Sequence, residues 1–141
     1  MTDASDAHRA VGLDTSVVVR LLTGEPPEQA ERAMQLLQDL SARGSKAIIS
    51  DMVVAETYFA LHAHYGIPKR QALRAIRDLL ESGEVEPATG ECALDVLRQM
   101  DRAGQKPGFV DRLIHAQYMR GAQSVVSFES AFRKLRGGVV L

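Results

Sequence analysis

Two patterns of apolar residues alternate along the chain. Short apolar runs bounded by polar or turn-forming residues are typical of buried strands, and segments with an apolar residue at every third or fourth position are typical of amphipathic helices. The strands predicted in this way are 10–13, 47–49, 84–87, 124–128 and 139–141. The helices predicted between them are 16–22, 27–43, 52–64, 68–80, 92–100, 109–119 and 130–135.

Residues that favour helix ends flank several of these segments. Pro27 and Pro68 suit a first helical turn, where a missing N–H leaves no hydrogen bond unmade. Ser50 and Asp51 offer helix-start chemistry, and Gly44 closes the segment before the second strand. Because strands and helices alternate, we predict an α/β protein: a three-layer α/β/α sandwich with a mostly parallel sheet of four or five short strands.

Length, composition and charge describe one ordinary globular domain. The 141 residues are enough to bury a core, and 45% hydrophobic with 25% charged residues is a common globular composition. We expect residues 1–7 to form a loose polar tail and residues 8–141 to form a single domain. The net charge of −1 means that any affinity for nucleic acid must come from a local basic patch.

Cysteine content and hydropathy narrow the class further. Cys92 is the only cysteine, so no intramolecular disulfide can form, which suits a reducing cytoplasm. No apolar run approaches the roughly 18 residues of a membrane span. The first ten residues contain two acids and no apolar stretch, unlike a signal peptide. We therefore expect a cytoplasmic protein without a membrane segment.

Four acidic residues stand out by position. Asp14 ends the run VGLD, and Glu129 directly follows the strand SVVSF. In open α/β sheets the functional crevice lies beyond the carboxyl ends of the strands, which is where these two acids fall. Asp111 lies near the start of an apolar helix, and Glu56 is the only charge within residues 52–61.

Each acid also has a purely structural interpretation. Asp14 can cap the helix that follows it, and Asp111 and Glu129 can complement a helix dipole. Glu56 has apolar helical neighbours, so it should be buried with a partner or lie at the edge of a cleft, because unpaired burial is costly. A salt bridge to an arginine is the structural alternative for Glu56.

Several carboxylates favour a hard divalent cation. Mg²⁺ and Mn²⁺ take oxygen ligands, and a cation so held can activate water and stabilise the charge that develops on a phosphodiester. A zinc site is disfavoured, because His62 and His64 diverge on a helix and Cys92 has no CxxC partner. His115 lies one helical turn beyond Asp111, where it can support that acid or contact RNA; an ordinary packed histidine is the alternative.

Three segments that contain these acids resemble the PIN-domain family and, within it, the VapC toxins of bacterial toxin–antitoxin pairs. The first, similar to the family's opening strand, acid and following Thr-Ser, reads VGLDTSVVVRLLTGEPPEQAERA. The second, similar to its strand and glutamate-bearing helix, reads ISDMVVAETYFAL. The third, similar to its aspartate-bearing helix, late strand and closing helix, reads FVDRLIHAQYMRGAQSVVSFESAFRKL.

The resemblance implies a Mg²⁺- or Mn²⁺-dependent endoribonuclease, commonly a homodimer, that a VapB-like antitoxin holds inactive. It implies metal-binding or catalytic roles for Asp14, Glu56, Asp111 and Glu129. Side chains that would support these acids are Thr15, Ser16, His115 and Ser127. Basic side chains that would contact RNA, with ordinary solvated surface as the alternative, are Arg20, Arg112, Arg133 and Lys134.

The last motif departs from the family pattern, which usually has Thr-Phe-Asp where this chain has Ser127-Phe128-Glu129. Glutamate is one methylene longer, which suits either a different metal position or action through a water, and Ala131 stands where a second acid is often found. A PIN-fold binding module without catalysis is therefore one alternative. Another is an aspartate-nucleophile phosphatase, since LDTS at a strand end faintly resembles the loop of haloacid-dehalogenase-type phosphatases; that alternative leaves Glu56 unexplained.

Overall fold

A computed structural model describes residues 9–102 and 105–141. The tail predicted over residues 1–7 lies outside this range. The chain divides into two compact units, the first ending at Gly90 and the second spanning Glu91–Leu141. The single domain predicted over residues 8–141 stays a prediction. Among the described residues, no helix combines the length and the apolar character that crossing a bilayer requires.

The first unit contains a three-stranded parallel sheet in the order β1-β2-β3. Its strands are β1 (Ala10–Gly12), β2 (Lys46–Ile49) and β3 (Val85–Pro87). Ala47 faces Val11 on one side and Val85 on the other. Ala47 and Val85 are buried, as expected of a parallel sheet covered by helices.

Four helices complete the first unit: α1 (Thr15–Thr23), α2 (Pro27–Ala42), α3 (Asp51–Phe59) and α4 (Lys69–Glu81). Apolar residues at helical spacing form its core, for example Leu37 and Leu40 on α2 and Ile76 and Leu80 on α4. A π-helical turn, Ala60–His64, continues α3. Gly24 ends α1 in the left-handed conformation, with φ of 73°, which glycine adopts without steric cost.

The second unit contains α5 (Ala93–Met100), α6 (Phe109–Tyr118), β4 (Val125–Ser127) and β5 (Gly138–Val140). The two strands pair in parallel, with Val126 opposite Val139. A 3₁₀ helix, Ser130–Lys134, connects them and inserts Phe132 into the core. The backbone of Phe132 lies so close to Gly138 that no Cβ fits there.

The α/β class and the parallel pairing of five short strands are confirmed. The pairings among described residues form two sheets, of three and two strands. Two segments predicted as α-helix differ in type. Residues 60–64 are π-helical, with the Tyr65 N–H donating to the Ala60 carbonyl five residues earlier. Residues 130–134 are 3₁₀, which suits a five-residue connection too short for stable α-helix.

Candidate active site

Asp14 lies at the carboxyl edge of the first sheet. The Leu13 N–H still donates to the Ile48 carbonyl at 2.9 Å, so Asp14 is the first residue beyond the ladder. Its own carbonyl accepts hydrogen bonds from the N–H groups of Val17 and Val18, which starts α1. Its exposed carboxylate makes no capping bond and accepts one hydrogen bond, from Ser16 Oγ at 3.2 Å. The residue holds the N-cap position while its side chain stays available.

The strand-to-helix junction after β2 is built differently. The Ser50 hydroxyl accepts a hydrogen bond from the Val53 N–H at 3.2 Å and caps α3. Asp51, in the first turn, is buried. The helix-start chemistry predicted for Ser50 is therefore confirmed. Because β1 and β2 are parallel neighbours, α1 and α3 begin at the same edge of the sheet, and they pack against each other.

Glu56 is exposed on α3. Of the two alternatives predicted for it, burial with a partner is wrong, because two of the apolar neighbours on which it depended, Met52 and Phe59, are themselves largely exposed. A place at the edge of a cleft stays a prediction. Among the described residues Glu56 has no ion pair or hydrogen-bond partner, so the alternative of an arginine salt bridge is not met either. Its carboxylate is solvated and uncommitted.

Two buried threonine hydroxyls adjoin these acids in sequence. Thr15 Oγ1 follows Asp14 and Thr57 Oγ1 follows Glu56, and both lack a hydrogen-bond partner among the described residues. An unsatisfied buried hydroxyl is costly and calls for an explanation such as a water or an ion. Thr15 was predicted to support Asp14; Thr57 was missed, because a threonine inside an apolar helix gives no signal in sequence.

In the second unit, Asp111 is the third residue of α6 and is half-buried. Gly108 precedes this helix and offers no side chain to cap it. Asp111 is the one acidic residue in the first turn. Its carboxylate has no hydrogen bond or ion pair with a described residue. The dipole interaction predicted as its structural role is thus compatible with a free carboxylate.

His115, one turn further along α6, has a defined structural contact. Its Nε2 donates to the Arg136 carbonyl at 2.7 Å, so that nitrogen carries a proton. The bond ties α6 to the segment before β5. Nδ1 is the ring nitrogen left for any second contact, and the predicted support of Asp111 stays a prediction.

Glu129 follows β4 and precedes the 3₁₀ helix. Its N–H donates to Ser127 Oγ at 2.9 Å, so the Ser127 hydroxyl shapes the turn. The Glu129 carboxylate is exposed and has no partner among the described residues. Each of the four predicted acids thus keeps a carboxylate that forms no ion pair with a described side chain.

The four predicted RNA-contacting cations fall into two groups. Arg20 donates to Gln29 Oε1 at 2.7 Å, and Arg112 donates from Nε to the Pro107 carbonyl at 2.8 Å, so both side chains are held by the fold. Arg133 and Lys134 are exposed and have no partner among the described residues. These two are the cations that remain free to bind phosphate.

Charge is unevenly divided between the units. Residues 1–90 contain 13 acidic and nine lysine or arginine residues, a net charge of −4. Residues 91–141 contain five acidic and eight lysine or arginine residues, a net charge of +3. The second unit is therefore the basic part of a chain whose total charge is nearly neutral.

The donor chemistry fits a hard divalent cation. Carboxylates and hydroxyls supply oxygen alone, which Mg²⁺ and Mn²⁺ prefer. Within residues 9–102 and 105–141, no three His, Cys, Asp or Glu side chains are gathered into a metal-binding group. Mg²⁺ usually needs no such cage, since it binds through one or two carboxylates and keeps several waters.

Burial raises the pKa of the Tyr58 phenol, which keeps this ring neutral. Tyr58 packs beside Phe59, with ring centroids 5.5 Å apart and planes tilted by 55°. It also stacks on His62 at 6.5 Å, and His62 Nδ1 is held by the Ile67 carbonyl at 3.0 Å. The aromatic end of α3 is thus fixed by its own contacts.

Comparison with known proteins identifies the family. No curated protein matches the chain. The family model described as PIN domain matches residues 11–138, more than nine-tenths of the chain, and this range includes all four of the predicted acids. PIN domains are generally nucleases and typically use divalent metal ions. The chain belongs to the PIN domain family.

Proposed function

We propose that this protein is a Mg²⁺- or Mn²⁺-dependent endoribonuclease and the toxin of a type II toxin–antitoxin pair. One observation carries the proposal: Asp14 starts α1 with its backbone, yet its exposed carboxylate makes no capping bond. Helix caps normally use the side chain. An acid at the carboxyl end of a parallel strand that does not serve the helix is positioned for a ligand.

The residues proposed to have metal-binding or catalytic roles are Asp14, Glu56, Asp111 and Glu129, all of whose carboxylates are free of ion pairs with described side chains. When bound, a divalent cation activates water and offsets charge on the phosphodiester. Ser16 orients Asp14 by donating to Oδ2. Glu129, which is longer than the usual aspartate, acts at greater reach, directly or through water.

Thr15 contributes a buried hydroxyl beside Asp14. A hydroxyl without a protein acceptor can donate to a carboxylate or to a metal-bound water. Arg133 and Lys134 provide the phosphate contacts, because they are exposed, have no partner among the described residues and belong to the basic part of the chain. His115 and Ser127 act by shaping the segments beside Asp111 and Glu129.

Two partners follow from the toxin assignment: a VapB-like antitoxin and a second copy of the chain. Exposed apolar side chains on both units, Met34 and Phe128 among them, offer surface for such contacts. A cytoplasmic location fits the single cysteine, which is not committed to a disulfide.

The test is cleavage of a structured RNA and a single-stranded RNA with Mg²⁺, Mn²⁺ or chelator. We expect internal cuts that need the metal and that Asp14→Asn abolishes. RNA binding without cleavage, under every metal condition, would instead favour a PIN-fold binding module without catalysis. The glutamate at position 129, where the family usually has aspartate, also supports that alternative. Sedimentation and co-expression with a VapB-like protein test the two partner assignments separately.

A further inference from the structure

The exposed face of α3 combines a free carboxylate with two large apolar side chains. Met52 is 73% exposed and Phe59 is 53% exposed. They stand four residues before and three residues after Glu56, so all three lie on one stripe of the helix, with neighbouring Cβ atoms about 5–6 Å apart. Apolar exposure of this size beside a candidate active-site acid calls for a ligand.

Phe59 is held in place and is not a loose surface side chain. The buried Tyr58 ring packs against it in a tilted arrangement, at 5.5 Å between centroids. Tyr58 is in turn backed by His62, whose ring is anchored to the Ile67 carbonyl. A fixed aromatic ring with one exposed side loses little conformational entropy on binding, which suits a stacking partner.

We infer that Phe59 is a base-stacking residue: it binds the face of one unpaired base of a single-stranded RNA, next to the phosphate handled at Glu56. Every base has a π-face that can stack on an aromatic ring. Bases of an A-form duplex are already stacked on each other, and only unpaired bases can be splayed onto a side chain. Phe59 therefore selects single-stranded over double-stranded RNA.

The Glu56 carboxylate favours RNA over a protein as the occupant of this surface. A protein that covered Met52 and Phe59 would also cover an unpaired carboxylate between them, and burying an unpaired charge is costly. An RNA strand brings phosphates with associated cations. These cations neutralise the Glu56 carboxylate, while a base covers the Phe59 ring. This role of Phe59 depends on the proposed function, because it assumes that Glu56 acts on RNA.

The second unit repeats the arrangement on α6. Ile114 and Tyr118 are both exposed, and they follow Asp111 by three and seven residues, on one stripe of that helix. An acid with an exposed aromatic residue on its own stripe thus occurs in each unit. A solvent-facing helix stripe is normally polar, so the recurrence supports a common use.

The chain contains no tryptophan, which makes a direct test available. Phe59→Trp, placed in an Asp14→Asn background to prevent cutting, provides a single indole at the proposed stacking position. We expect a ten-nucleotide single-stranded RNA with Mg²⁺ to quench the indole fluorescence. The same RNA in a duplex, or a ribose-phosphate oligomer without bases, should not. Binding of the single strand without quenching would overturn the inference.

Affinity gives a second measurement. Phe59→Ala should weaken binding of the single strand by about 5- to 150-fold, the range of one base–aromatic stack, and Phe59→Trp should restore it. Phe59→Leu keeps an apolar side chain without a flat ring, and it should weaken binding similarly even if the alanine variant folds poorly. Met34→Ala is the matched control, since Met34 is 56% exposed on α2, a helix that contains none of the four proposed site acids.

The outcomes separate this inference from the proposed function. Quenching without any metal-dependent cleavage by the unmodified protein would reject the nuclease and keep the stacking. Cleavage with unchanged affinity in Phe59→Ala and Phe59→Leu would reject the stacking and keep the nuclease. If those two variants instead turn a sedimenting dimer into a monomer at unchanged RNA affinity, the face is an interface between copies, and the inference fails.

Discussion

The hydroxyl of Ser16 donates a hydrogen bond of 3.2 Å to Oδ2 of Asp14, two residues earlier. At the equivalent junction after β2, the hydroxyl of Ser50 accepts from the Val53 N–H and caps its helix. Two neighbouring parallel strands thus end in polar residues that are used in opposite ways. The Ser50 side chain caps α3, whereas the Asp14 carboxylate accepts a hydrogen bond from Ser16 of α1 and caps nothing.

This difference predicts that truncating Ser50 and truncating Asp14 lower the free energy of unfolding by different amounts. Ser50→Ala removes a real cap and should lower the free energy of unfolding by about 0.5–2 kcal/mol. Asp14→Ala removes no capping bond, so it should change the free energy of unfolding of the metal-free protein by less than about 0.5 kcal/mol. Urea titrations of both variants in chelator measure this. A loss in Asp14→Ala as large as in Ser50→Ala would return Asp14 to the role of a helix cap.

The stabilisation gained from metal binding should also differ between these two variants, and here Asp14→Ala should be the one affected. A cation that binds only the folded protein stabilises it by mass action, by about 2.7 kcal/mol at a hundredfold excess over Kd. We expect Mn²⁺ to raise the melting temperature of the unmodified protein and of Ser50→Ala, but much less that of Asp14→Ala. Thermal melts with and without Mn²⁺ measure this, and an undiminished response in Asp14→Ala would remove that residue from the metal site.

Cleavage itself should depend unequally on the acids. Asp14→Asn should reduce the rate by about 100-fold or more, because the cation contributes several kcal/mol to the barrier. Glu129→Ala should cause a smaller loss, since the longer side chain departs from the family's aspartate and no described side chain forms an ion pair with it. Single-turnover rates in saturating Mn²⁺ compare them. Equal and complete losses would make Glu129 a full ligand.

Most elements of the fold could be predicted from the sequence, because most helices have an apolar period and several have residues that favour helix ends. The run at 47–49 and the helix opened by Pro27 are examples. Helix type was not readable. The residue pattern predicts a continuous helix through Ala60–His64 and does not distinguish a π-helical turn from an α-helical one.

The acids of the candidate site could be predicted from the sequence, but the burial and the hydrogen-bond partners of the site residues could not. Glu56 was expected to be buried with a partner or to lie at the edge of a cleft, because its neighbours are apolar. Burial depends on which helix faces find a partner, and this face finds none among the described residues. Arg20 and Arg112 resembled free cations, although Gln29 and Pro107, nine and five residues away in sequence, hold them. These contacts depend on how the chain turns at the helix ends, which no residue pattern predicted.

His115 provides a prediction about stability. Its bond to the Arg136 carbonyl joins α6 to the segment before β5, so His115→Ala should lower the free energy of unfolding by about 0.5–1.5 kcal/mol. His64→Ala is the control: His64 is exposed and has no partner among the described residues, so its loss should stay within about 0.5 kcal/mol. If the two variants unfold at the same urea concentration, the His115 bond contributes nothing to stability.

The uneven charge predicts where salt acts on RNA binding. Each phosphate contact to a single strand contributes a slope of about −0.7 to the dependence of log affinity on log salt concentration. Arg133→Ala and Lys134→Ala should each weaken binding and make that slope shallower by about one contact, because both side chains are exposed and unpaired in the basic part of the chain. Arg32→Ala, which removes an exposed cation of the acidic first unit, should leave the slope unchanged.

Filter binding of a single-stranded RNA between about 50 and 200 mM salt covers the range in which the slopes separate. A loss in Arg32→Ala equal to that in Arg133→Ala would show that the phosphates are held by the net charge of the whole molecule and not by a patch near the end of β4.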